Sequence, residues 1–110
     1  MRLNRRGFGL SLTAAAMLQA GQGRAAGAEH AVTIRRFTFS PAELVIRPGD
    51  RVVWENRDSA PHTATGRDGG WDTGEIVKGA QAGVVFEREG RFEYLCAYHP
   101  HMTAVVTVRR

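Results

Sequence analysis

From residue 30 onward, apolar side chains alternate with polar ones in short runs, separated every ten or so positions by Gly, Pro, Asp or Asn. No stretch of useful length carries a helical period. Alternation of this kind places one side of each run against a core and the other toward water, so it predicts β-strands. The runs fall near Val32 to Phe39, Glu43 to Ile46, Arg51 to Asn56, His62 to Thr65, Gly83 to Glu87, Arg91 to Cys96 and Ala104 to Arg109. Turn signals divide them, notably Arg47-Pro48-Gly49-Asp50 and Arg88-Glu89-Gly90. Many short strands with such turns predict an all-β sandwich or barrel. The run Gly66-Arg67-Asp68-Gly69-Gly70 has the weakest pattern, and any short helix is expected between it and Gly79. Trp54, in a strand, and Trp71, after two glycines, are expected as core or lid aromatics.

The first 28 residues follow a different rule. Arg2, Arg5 and Arg6 give a basic start, Phe8 to Ala20 is small and apolar, and Ala26-Gly27-Ala28 offers a cleavage site before Glu29. That reading divides the chain into an export signal, 1–28, and one domain, 29–110. The apolar stretch falls short of the roughly 20 residues that span a bilayer. The run NRRGFGL is similar to a twin-arginine signal through Arg5, Arg6, Phe8 and Leu10, although Asn4 departs from the pattern and its Lys is missing. Export by that route, or by an ordinary secretory signal whose arginines are incidental, would place the domain in the periplasm.

Setting the signal aside changes the charge. The whole chain is formally +4, but four of its fifteen basic residues lie in the signal, which leaves eleven against eleven acidic side chains. A neutral domain gives no footing for nucleic acid. The small domain has little core to spare and would gain from an added staple such as a metal.

The chemistry concentrates in CAYHPHM, residues 96–102. Cys96 is the only cysteine, so it cannot close an internal disulfide and is left as a free thiol, an intermolecular bridge or a metal ligand. The spacing Cys96-x-x-His99-x-x-Met102 places a thiolate, an imidazole and a thioether on one short loop, and soft sulfur with imidazole favours copper. A fourth ligand must come from elsewhere, and Pro61-His62 lies just after a strand end at Asn56. Structural zinc usually takes two or more cysteines. A thiol hydrolase needs a base held by an orienting acid, and a histidine three residues along a tight loop does not supply that.

Together these segments resemble the cupredoxins, near the amicyanin, pseudoazurin and plastocyanin group. The resemblance runs through FTFSPAELVIRPGDRVVWENRDSAPHTAT, WDTGEIVKGA and VVFEREGRFEYLCAYHPHMTAVVTV, nearly all of the domain. It implies a Greek-key β-sandwich of about seven to eight strands. It also implies one type 1 copper ion held by His62, Cys96, His99 and Met102, with Asn56 tying the two ligand loops together by hydrogen bonds. The two-residue spacings on either side of His99 favour the amicyanin type. His101 departs from the family pattern, which has an aromatic residue there, and is expected at the surface without a role. His30 is expected in an ordinary flexible terminus.

The resemblance implies a monomeric electron carrier, not an enzyme and not membrane-spanning, that docks a redox donor and acceptor transiently near His99. The rival expectation is a copper-binding or trafficking module that does not cycle the ion.

Overall fold

The computed structural model describes residues 27–110. The expected export signal therefore lies almost wholly outside the described residues. Gly27 and Ala28 are already engaged with the sandwich: Ala28 N–H donates to Asp50 Oδ1 at 2.9 Å, and the Arg51 N–H donates to the Ala28 carbonyl at 2.8 Å.

Eight strands follow in chain order: β1 (Glu29–Arg35), β2 (Thr38–Ser40), β3 (Glu43–Ile46), β4 (Asp50–Asn56), β5 (Thr65–Gly66), β6 (Gln81–Phe86), β7 (Gly90–Cys96) and β8 (His99–Val108). They form two four-stranded sheets, one ordered β2-β1-β4-β6 and the other β3-β8-β7-β5. β1 lies parallel to β4 and β3 parallel to β8, while the other pairs are antiparallel. The chain thus passes from one sheet to the other and back, as expected of the sandwich.

Alternation built the core. Val32 and Ile34 of β1, Val52 and Trp54 of β4, Phe39, Ile46, Phe86, Tyr94, Val106 and Val108 all turn inward and are buried. β4 shows the rule most fully, because Asp50, Val52, Trp54 and Asn56 share its inner face. Its middle is apolar and each end is a buried polar side chain, so the strand is fixed at both poles by hydrogen bonds. At the near pole Asp50 accepts from the backbone N–H groups of Ala28 and Arg47 and pairs with His30 Nε2 at 2.9 Å. These contacts hold the Asp50 carboxyl down at about 2. His30 is therefore held in β1 instead of lying in a flexible terminus. The preceding turn closes as its sequence predicts: Gly49 takes φ 94°, and Asp50 N–H donates to the Arg47 carbonyl at 3.1 Å.

Three strand boundaries are corrected. The run Val32 to Phe39 is two strands, broken at Arg36 and Phe37, which both have positive φ (55° and 58°). The run His62 to Thr65 is not a strand: His62 makes an isolated bridge to Ile76, and only Thr65–Gly66 pairs with β7. Strand β8 starts at His99, well before Ala104, because it continues the hairpin that carries the ligand motif. Between Gly66 and Gly79 the described backbone holds turns, bends and isolated bridges in place of the short helix considered there. Trp54 is fully buried, with Trp71 stacked on it at 5.5 Å, so both serve the core.

Candidate metal centre

The spacing C-x-x-H has a structural cause. β7 alternates Phe92, Tyr94 and Cys96 toward the core, Ala97 and Tyr98 make a two-residue turn, and β8 begins at His99. Cys96 and His99 are thereby cross-strand partners flanking a tight hairpin, with a register shift between Leu95 and Cys96. Met102 lies three residues further along β8, buried at 2% exposure in the same cluster as Cys96. His62 comes from the loop after β4. Its backbone is clamped from both sides by Ile76: His62 N–H donates to the Ile76 carbonyl at 3.1 Å, and Ile76 N–H donates back at 2.7 Å.

These elements bring Nδ1 of His62 to 3.7 Å and Nδ1 of His99 to 3.6 Å from Cys96 Sγ. The ligand atoms of these three residues all lie within 4.8 Å of one another. Both rings present the same nitrogen to the same sulfur, which is a convergent donor set. The observed sulfur–nitrogen separations are short enough for one metal ion to be shared by all three donors. The two imidazoles, the thiolate and the buried thioether fit copper by their chemistry. His62 and Cys96 are fully buried, whereas His99 is half-buried at the surface.

Two hydrogen bonds join the ligand segments. The backbone N–H of Thr63 donates to Cys96 Sγ at 3.3 Å, and the Thr63 hydroxyl accepts from Ala97 N–H at 2.7 Å. The tie between loops thus falls to Thr63, not to Asn56. Asn56 works within its own side of the site: Nδ2 donates to the carbonyls of Ala60 at 2.9 Å and Ile76 at 2.8 Å, and Oδ1 accepts from Asp58 N–H. Its short side chain, at the inner end of β4, braces the loop around His62 and does not reach the Cys96 hairpin.

Asp58 is a second residue that the sequence did not single out. Its Oδ2 lies 2.9 Å from His62 Nε2, so the carboxylate holds the outer nitrogen while Nδ1 faces the sulfur. Burial alone would push this carboxyl up. The backbone N–H groups of Phe37 and Arg36 and the His62 ring outweigh that and hold it below its ordinary value. The spacing Asp58-x-x-x-His62 was the available signal, hidden in a run that reads as a plain turn.

His101 is exposed, its ring centroid 6.4 Å from that of His99. It stays outside the donor triangle. Ala97, Tyr98 and Pro100, next to His99 in the hairpin, and Pro61, next to His62, are likewise exposed, and the Tyr98 hydroxyl donates to Glu75 Oε1 at 2.7 Å.

A two-sheet sandwich with a His, Cys, His and Met cluster at one pole is the architecture of a cupredoxin. The chain matches the family model described as a cupredoxin-like domain over residues 8–108, and it belongs to that family. It is of the amicyanin type. It is 32% identical over 100 residues to amicyanin-alpha of Methylorubrum extorquens, covering 86% of this chain and 83% of that one. Among solved structures it is similar to a novel purple cupredoxin from Nitrosopumilus maritimus, with TM-score 0.68 and 29% identity over 73% of this chain and 99% of that one. Amicyanin from Paracoccus versutus superposes with TM-score 0.67 at 26% identity, covering 74% and 81%. Among the described residues no helix is long and apolar enough to cross a membrane.

Proposed function

We propose that the protein is a mononuclear type 1 copper electron carrier, in which His62, Cys96, His99 and Met102 would hold the ion. One observation carries this reading: a buried thiol stands 3.6 and 3.7 Å from two Nδ1 atoms delivered by separate loops. Bound there, copper would supply reversible one-electron exchange between Cu(I) and Cu(II), with the Met102 thioether available to tune it.

The chain's own residues set the terms. The Cys96–His99 hairpin and the Ile76 clamp on His62 hold the donors in place, which supports small rearrangement when the charge changes. The Thr63 N–H stabilises negative charge on Cys96 Sγ. Four side chains would fill the coordination set, without the open position that catalytic metal sites keep, which supports a carrier over an enzyme.

His99 is the ligand that reaches the surface, and the electron leaves and enters through it. Pro61, Ala97, Tyr98, Pro100 and His101 form the rim on which a redox donor and acceptor dock. Weak contacts of this kind bury under about 1,200 Å². The neutral 29–110 domain carries little whole-molecule steering, and the export signal read at 1–28 supports an exchange in the periplasm.

Loading the purified protein with one equivalent of Cu(II) tests the reading. The expected result is an intense blue thiolate-to-copper absorption, bleached and restored by reductant and oxidant, and absent in Cys96→Ser. Copper bound without colour and without cycling would leave the trafficking reading in its place. Colour that persists in Cys96→Ser would overturn the ligand assignment.

A further inference from the structure

The turn between β1 and β2 is built from Arg36 and Phe37, the non-glycine residues with positive φ among those described. Tight hairpins that need such angles usually take Asn or Gly, and bulkier residues are strained there. Asp58 holds the turn in place. Its Oδ1 accepts the Arg36 N–H at 2.6 Å and its Oδ2 the Phe37 N–H at 2.8 Å, and that same Oδ2 meets His62 Nε2.

Held this way, the Phe37 ring stands edge-on to both histidines of the metal centre. Its centroid is 5.0 Å from that of His62 and 4.8 Å from that of His99, each at an interplanar angle of 88°. The ring is still 43% exposed, so it fills no core position. A strained turn that sets an apolar ring at the surface is poorly explained by folding alone; an Asn-Gly turn would join β1 to β2 without the strain.

We infer that Phe37 is a positioning residue of the metal site: a fixed apolar cover that keeps water and competing ligands from the outer edges of His62 and His99 and restrains both rings. Asp58 is its latch. One carboxylate fastens the turn and His62 together, so cover and ligand keep a constant relation. This inference rests on the proposed copper site, and its test has one arm that needs no metal.

In the metal-free protein, diethyl pyrocarbonate should modify His99 at least fivefold faster in Phe37→Ala than in wild type, with exposed His101 in the same molecule as the unchanged reference. In the copper-loaded protein, Phe37→Ala should lose Cu(II) to excess EDTA at least tenfold faster and show a shifted copper hyperfine splitting. Arg36→Gly keeps Phe37 and eases the strain, so it should raise the unfolding midpoint and leave both rates unchanged. Phe37→Leu serves if the alanine variant does not fold, and should speed His99 modification more than twofold but less than the fivefold expected of alanine. His99 modification within twofold of wild type in whichever variant folds would overturn the cover. Failure of wild type to bind copper, with the modification contrast intact, would overturn the copper reading instead.

Discussion

The backbone N–H of Thr63 points at Cys96 Sγ across 3.3 Å, and the hydroxyl of the same residue takes the N–H of Ala97 at 2.7 Å. One residue of the His62 loop thus holds both the sulfur and the turn beyond it, joining segments more than thirty residues apart in sequence. The two bonds separate experimentally, since the first uses the main chain and the second the side chain. Thr63→Val keeps the shape and the N–H to sulfur but leaves Ala97 N–H without its acceptor. The expected cost is about 1–3 kcal/mol. It should appear as a lower denaturation midpoint in both metal-free and copper-loaded protein, with the blue absorption retained; loss of the colour would place the side chain, and not the main chain, in control of the sulfur.

A second bond lies deep in the core, where Trp54 Nε1 donates to the Tyr94 hydroxyl at 3.2 Å. Tyr94→Phe removes that acceptor and should cost about 1–3 kcal/mol near neutral pH. Burial pushes the Tyr94 phenol up to about 12 from its ordinary 10.0. A pKa raised by folding means the neutral form is favoured in the native state, so its stabilisation is complete below pH 10. It is lost as pH rises from 10 through 12. Denaturant midpoints across that range should fall more steeply in wild type than in Tyr94→Phe, and parallel curves would refute the assignment.

What the sequence displayed, and what it hid, divides along one physical line. Features set by side-chain alternation or by contiguous spacing were legible: the inner faces of β1, β4 and β7, the Arg47 to Asp50 turn and the C-x-x-H hairpin. Features set by where the chain returns to itself were not. Arg35-Arg36-Phe37-Thr38 reads as a continuing strand because neither turn residue is Gly or Asn; only Asp58, far along the chain, makes the reversal there tenable. Thr63 sits beside His62 as an ordinary strand-like threonine until β7 brings Cys96 beside it. The expected His62 to Thr65 strand failed because the His62 backbone is engaged by Ile76, leaving only Thr65 and Gly66 to pair.

Gly66 marks a place where a missing side chain matters. A Cβ built there would lie 2.7 Å from Trp71 Nε1 and 2.9 Å from its Cδ1. The indole has little room to retreat, packed at 5.5 Å from Trp54 and Tyr94 and 5.1 Å from Phe86. Gly66→Ala should therefore destabilise by about 1–3 kcal/mol through overpacking. The same change in a Trp71→Leu background should cost less, and the double-mutant cycle measures the difference. Equal costs in both backgrounds would show that the clash is relieved elsewhere.

Acid sensitivity should be centred at the pole opposite the metal. The Asp50 carboxyl is held at about 2, below its ordinary 3.8, first by the Ala28 N–H, then by the His30 ring and the Arg47 N–H, so the test uses a chain that retains Ala28, which cleavage before Glu29 would remove. A pKa lowered by folding means that the charged form is the one the native state favours. Its contribution is complete above pH 3.8 and disappears as pH falls from 3.8 toward 2; the shift corresponds to about 2 kcal/mol. Asp50→Asn gives up the charged partner of these donors. At pH 6 its unfolding midpoint should lie roughly ten degrees below wild type, the size expected of such a loss in a small domain. The two midpoints should converge as pH approaches 2, because protonation there makes wild-type Asp50 neutral as well. A gap that stays constant from pH 6 to pH 2 would show that the carboxylate's charge is not what secures β1 to the start of β4.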